Sequence, residues 1–431
     1  MKITVKKEIL VPARKGGPSE MRYQYYADAS DTHRVERKVV TAESDFHNNA
    51  YARESLDNGK TWGEWENVYK DDFAAVPGGE RLQSRVPQRT FDPIARRQVS
   101  LRLDRLFVNN HKEAYDLLWK GVGGRFFDHS FLDVCDENGK PLYSEMLCYE
   151  DGPEEGGLGD PEFLKRNCGY ALSVITLAGN GDLLFALSIH MGKACEMLHL
   201  DVNEFFPSCP EFSSGVVVVR GTWDPSVGRY RLSYSTPIAV SDLDSARGLL
   251  EPTIIELASG RIIVVMRGSS GNYEPWHTRM EEGTPGVKWI SWSDDGGRTF
   301  TAARPWHFDN GLFVYSSSSI SYLFQSLRNG RVYWVGNITE PTMIWENFPR
   351  WPLYIAEVNE RGFLKHDTLT LIDTRQPGES VHLQLSNFHM LHDRINLDTE
   401  LYLAKIGQFA DDKGRNTYEC DTCRYIIDWE D

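Results

Sequence analysis

Short apolar, β-branched runs broken by turn residues recur along the whole chain, and almost no stretch keeps an amphipathic helical period. The clearest run is Thr253-Ile254-Ile255-Glu256-Leu257, followed by a turn at Ser259-Gly260 and the return Arg261-Ile262-Ile263-Val264-Val265-Met266-Arg267. It predicts an antiparallel hairpin. Counted outward from Ser259, Glu251 and Arg267 are equally far from the turn, so they should face each other at its open end. A carboxylate and a guanidinium in that place form either a structural ion pair or the rim of a site.

The hairpin has two relatives in the chain. Leu177-x-x-Asn180-Gly181-Asp182-Leu183-Leu184 and Leu327-x-Asn329-Gly330-Arg331-Val332 repeat the pattern of Leu257-x-x-Gly260-Arg261-Ile262-Ile263. Self-similarity at this interval predicts a radial or stacked repeat, and the strand density suits four-stranded blades around a channel. The expected fold is therefore all-β, a β-propeller of six four-stranded antiparallel blades forming a single domain over 1–431. The blades are expected at 1–89, 90–165, 166–248, 249–312, 313–377 and 378–431. Seven blades, with residues 1–40 contributing to an extra one, is the alternative. In the second group, Tyr115-Asp116-Leu117-Leu118-Trp119 reads as strand. The tail Arg424-Tyr425-Ile426-Ile427-Asp428-Trp429 reads as a strand that closes against N-terminal residues.

A second pattern occurs twice: Ser55-x-Asp57-x-Gly59-x-Thr61-Trp62 and Ser293-x-Asp295-x-Gly297-x-Thr299-Phe300. Ser and Asp side chains can bind backbone N–H groups inside a tight turn, with Gly supplying positive φ. These boxes are expected on outer turns, as staples and not as a site. With the Glu251–Arg267 hairpin between them, the sequence resembles the Asp-box (BNR-repeat) sialidase-like β-propellers. The resemblance implies a Glu opening the hairpin and an Arg closing it beside a substrate carboxylate. Arg350, in Phe348-Pro349-Arg350-Trp351, matches the family's third arginine. Arg85, in Ser84-Arg85-Val86-Pro87, matches its first Arg-x-Pro element, with Arg34 as competitor. The family's tyrosine nucleophile has no counterpart in Leu383-Gln384-Leu385-Ser386-Asn387-Phe388, and Asp45 is the one loose match for its acid.

Aligning the hairpins on Gly181, Gly260 and Gly330 brings further residues forward. Ser188 and Asn337 share the offset of Arg267, and His190 lies two positions beyond Ser188. Equivalent hairpin ends of successive blades converge in a propeller, so Arg267, His190 and Asn337 are candidates for one pocket. His129, in Phe127-Asp128-His129-Ser130, is a weaker candidate. Tyr315 precedes Ser316-Ser317-Ser318-Ser319, small residues that could leave room for a ligand. Glu251, His190 and Tyr315 are thus the candidate catalytic residues; Arg267, Arg350, Arg85, Asn337 and His129 are the candidate substrate contacts.

Composition narrows the function. Of 431 residues, 41% are hydrophobic and 25% charged, an ordinary globular balance. The net charge of −15 disfavours nucleic acid, but a local arginine cluster can still take an acidic substrate. No apolar run is long enough for a membrane span or a leader. With seven cysteines, an odd count, this predicts reduced thiols and a cytoplasmic protein. Cys420-x-x-Cys423 has no second pair, which is weak evidence for zinc. Nothing names a cofactor, although a structural Ca²⁺ or Zn²⁺ on loop residues stays compatible. The sequence does not indicate an oligomeric state. Three function classes remain. One is a glycoside hydrolase acting on an acidic oligosaccharide ending in sialate or uronate. The others are a lyase that cleaves beside a uronate with His or Tyr and Arg, and a non-catalytic sugar-binding propeller.

Overall fold

A computed structural model describes residues 2–41, 49–69, 74–76, 79–84, 89–119, 126–150, 161–171, 174–207, 213–271, 278–410 and 417–430. Its strands form six antiparallel sheets, the six-bladed β-propeller read from the sequence. The chain divides into two compact units, residues 1–71 with 307–431, and residues 72–306. Each unit holds three sheets. Among the described residues no helix is long and apolar enough to cross a membrane.

In the continuous unit, the first sheet centres on Arg97–Val108 and Phe126–Asp136. The second centres on Leu183–His190 and Ser214–Asp224, and the third on Leu250–Glu256, Ile262–Arg267 and Lys288–Ser293. Both neighbours of the second sheet pack apolar faces against it. Leu183, Phe185 and Leu187 meet Val99, Leu132 and Val134 on one side; Leu184 and Ala186 meet Ile254, Val264 and Met266 on the other. These central strands are buried on both faces, which is why they read as continuous apolar runs. The segment Tyr115 to Trp119 is not strand. It belongs to the helix His111–Trp119, whose start is capped where the Asn110 side chain accepts from the Glu113 N–H at 2.9 Å.

In the discontinuous unit, the sheets centre on Arg34–Thr41, on Val332–Asn337 and on Thr399–Ala404. The last is closed by both ends of the chain: Lys2–Val11 pairs antiparallel with Thr422–Glu430, from Lys2 opposite Glu430 to Val11 opposite Thr422. The N-terminal residues thus complete the final sheet instead of adding a seventh. The three related hairpins all form. Gly181, Gly260 and Gly330 have φ of 86°, 82° and 69°, the left-handed conformation that only glycine adopts without strain. Both Ser-x-Asp boxes lie between the outer two strands of their sheets.

Candidate functional site

The strand Ile262–Arg267 is buried along its whole length and ends on Arg267. Its hairpin partners run Ile255 opposite Ile263 and Ile254 opposite Val264, a register that continued would put Glu251 opposite Arg267. A bulge intervenes, and Leu250 takes the place opposite Arg267. Glu251 sits in the bulge with φ of 42°, a left-handed conformation that costs a non-glycine residue about 1–3 kcal/mol. The strained residue is held at both ends. Its N–H donates to Ser188 Oγ at 3.0 Å, and its carboxylate accepts from Arg267 Nη1 at 2.5 Å.

Ser188 is the residue at the shared hairpin offset, and Tyr170 pairs directly across from it. Burial pushes the Tyr170 phenol well above its ordinary range. The negative charges of Glu251 and Asp128 push the same way, and Arg105 and Arg267 oppose them. Arg105 and Asp128 face each other on adjacent strands and form a forked pair, Nε to Oδ1 at 2.6 Å and Nη2 to Oδ2 at 2.7 Å. The three sheets of this unit therefore bring together two arginine–carboxylate pairs and a protonated tyrosine. His190 stands at the end of the same strand as Ser188, where its Nδ1 accepts from the Gly192 N–H at 3.1 Å and caps a short helix. That contact places the ring proton on Nε2.

His129 does not join this group. It is 4% exposed, its Nε2 reaches the Leu164 carbonyl at 2.9 Å, and burial lowers its pKa. It is a neutral, hydrogen-bonded core histidine, out of reach of a substrate.

Tyr315, Asn337 and Arg350 lie in the other unit, around one loop. The Tyr315 carbonyl accepts from the Thr339 N–H, and Ser317 Oγ donates to the Pro349 carbonyl. Ser316 to Ser319 are packed solid, so this run opens no space. Asn337 has no exposed surface, and its Nδ2 donates to the carbonyls of Arg350, Pro352 and Leu385. It positions the Arg350 loop and cannot touch a ligand. Arg350 donates from Nη1 to Gln384 Oε1 at 2.7 Å and from Nε to the Asn347 carbonyl. Arg85 and Asp45 lie outside the described residues.

No protein-family model and no curated protein matches the sequence. Solved structures do match. A protein of unknown function from Dyadobacter fermentans is 16% identical, with a TM-score of 0.58 over 99% of both chains. The NanB sialidase from Streptococcus pneumoniae is 11% identical, with a TM-score of 0.52 over 97% of this chain and 70% of its own. A Hadza microbial sialidase is 10% identical, with a TM-score of 0.50 over 95% of this chain and 66% of its own. The fold is that of a sialidase-like β-propeller.

Within this propeller, sequence reasoning missed Tyr170, Arg105 and Asp128 as members of the cluster. One signal was available: Tyr170 opens the strand group that contains Ser188, whose offset matches Arg267. Arg34, the competitor for the first arginine, is 2% exposed and pairs with Asp393 at 2.6 Å and Glu400 at 2.8 Å. Asp393, Asp398 and Glu400 are grouped closely enough to hold a cation, but Arg34 already supplies their counter-charge.

Proposed function

We propose that the protein is a carbohydrate-active enzyme, a glycoside hydrolase acting on a sugar that bears a carboxylate. The observation that carries this reading is the Glu251–Arg267 pair at the hairpin mouth, joined by Arg105–Asp128 and Tyr170. A guanidinium beside a phenol suits a planar acidic group, since its fork can make paired charged hydrogen bonds, with Arg267 in that role and Arg105 committed to Asp128. The propeller fold shared with sialidases supports the hydrolase class, and the two box turns fit the Asp-box family. Glu251, bound to Arg267, is held as the anion, so it acts as a base and not as an acid. In this reading the Tyr170 phenol oxygen attacks the anomeric carbon and its proton passes to Glu251, while the glycosidic C–O bond breaks and the leaving oxygen takes a proton from water. A second water then cleaves the tyrosyl–sugar bond, and Glu251 returns the proton to Tyr170.

The elevated Tyr170 phenol favours a second reading, a uronate lyase. There Arg267 neutralises the uronate carboxylate, Glu251 removes the C5 proton, and Tyr170 gives its proton to the leaving oxygen.

Arg267→Lys keeps the charge but loses the fork. It should lower kcat/KM by about one to two orders of magnitude, since each charged hydrogen bond contributes roughly 1.5–3 kcal/mol. The assay is turnover of sialate- and uronate-ended glycans by folded protein. A saturated reducing product assigns hydrolysis, and an ultraviolet-absorbing unsaturated uronate assigns elimination. Wild-type rates for Arg267→Lys would remove this residue from the site, and no turnover of any acidic glycan by the wild type would leave a binding propeller.

A further inference from the structure

The discontinuous unit carries a cavity of its own. Its volume is about 350 Å³, and its walls include Met343, Trp345, Phe348, Trp351, Arg375 and His382. The loop between Val332–Asn337 and Leu353–Glu357 supplies one wall. There Trp345 and Phe348 exchange backbone hydrogen bonds across a tight turn, with Glu346 at a φ of 50°. The other wall comes from the segment leading into Phe388–His392. Trp345 is 53% exposed and Met343 45%, more than core packing would leave.

We propose that this cavity binds a pyranose ring bearing a carboxylate. Broad aromatic faces suit the C–H face of a sugar, and the volume sits at the small end of ligand pockets, roughly 300–1,000 Å³, enough for one or two rings. Charge selects an acidic sugar over a neutral one. Arg375 is fixed by its Nε, which donates to the Glu379 carbonyl at 2.9 Å, and by its place over the Trp351 ring at 5.6 Å. Among the described residues its Nη groups have no partner, so the fork that matches a carboxylate is unspent. The carboxylate of Glu379, the residue whose carbonyl holds Arg375, is committed elsewhere: it accepts from Lys405, from Gln408 at 2.9 Å and from the Gln376 N–H at 2.7 Å. His382 adds a second polar group, with its Nδ1 buried and unpartnered among the described residues. The inference stands on these side chains and does not rest on the reading of Glu251 and Arg267.

Calorimetric titration of the full chain with methyl glucuronide and with its methyl ester, the same ring without the charge, tests it. The glucuronide should bind at least about tenfold tighter than the ester, in line with one charged hydrogen bond. Arg375→Gln should bring the glucuronide down to the ester's affinity and leave the ester unchanged, with Arg375→Lys in between. Trp345→Ala should weaken both ligands. Both side chains reach solvent, and melting curves confirm that the variants fold. Arg267→Lys should leave the Arg375-dependent part of the titration unaltered, which separates this site from the one proposed above. Equal affinity of the Arg375-dependent component for acid and ester, wild-type behaviour of Arg375→Gln, or loss of that component in Arg267→Lys would each overturn the proposal.

Discussion

Asp398 is a carboxylate at the wrong place for its charge. Its Oδ1 is buried without a hydrogen-bond partner among the described residues. Burial first, then the charges of Asp393, Glu400 and Asp428, push it up from 3.8 to about 6. A carboxyl whose folded value is raised favours the fold fully below the unfolded value, and that contribution is lost as pH rises through the folded value. Asp398→Asn should therefore stabilise the protein at pH 7.5 by on the order of 1–3 kcal/mol and change little at pH 3.5. Denaturant melts at the two pH values check this, and an equal effect at both would refute it. Glu251 and Arg267 were legible at this scale because one hairpin carries both. Tyr170, Arg105 and Asp128 were not, because they come from other strands, and only the packing of three sheets brings them to Glu251.

The box turns are local, which is why a spacing pattern sufficed to find them. In the first, Asp57 accepts from the Thr61 N–H at 2.8 Å and the Thr61 hydroxyl at 2.7 Å, while Ser55 Oγ accepts from the Gly59 N–H. Asp295, Thr299 and Ser293 repeat this bond for bond. These bonds hold the Asp57 carboxyl down at about 2. The support they give is present above the ordinary aspartate range and fades as pH falls toward 2. Asp57→Ala should lower the melting temperature at pH 7 and leave turnover per folded molecule unchanged; lost turnover with normal melting would mean the turn serves the site. The helix at His111–Trp119 shows where such reading stops. Five mixed residues fit strand as well as helix, and the cap that decides the matter is a lone asparagine. The bulge at Glu251 was equally silent, since the register on either side of it is regular.

Among the six sheets, the one that joins Lys2–Val11 to Thr422–Glu430 depends on both ends of the chain. Without residues 2–11, the strand Thr422–Glu430 becomes an open edge of unpaired N–H and C=O groups. A chain lacking them should melt at lower temperature and self-associate, read by light scattering on a sizing column. A monomer with unchanged melting would show that the pairing is dispensable. The tail's role in closing this sheet was legible from its apolar alternation alone, but its exact register was not.

The same pairing also orders events during synthesis. Lys2–Val11 leaves the ribosome long before its partner strand, with residues 12–421 translated in between. At about 5–20 residues per second, that is a wait of roughly 20–80 s. Through that interval the N-terminal strand has no sheet to join, and half of its residues are charged or polar, as in Lys2, Thr4, Lys6, Lys7 and Glu8. That polarity keeps it soluble while it waits. The final sheet can form only after Thr422–Glu430 has been translated.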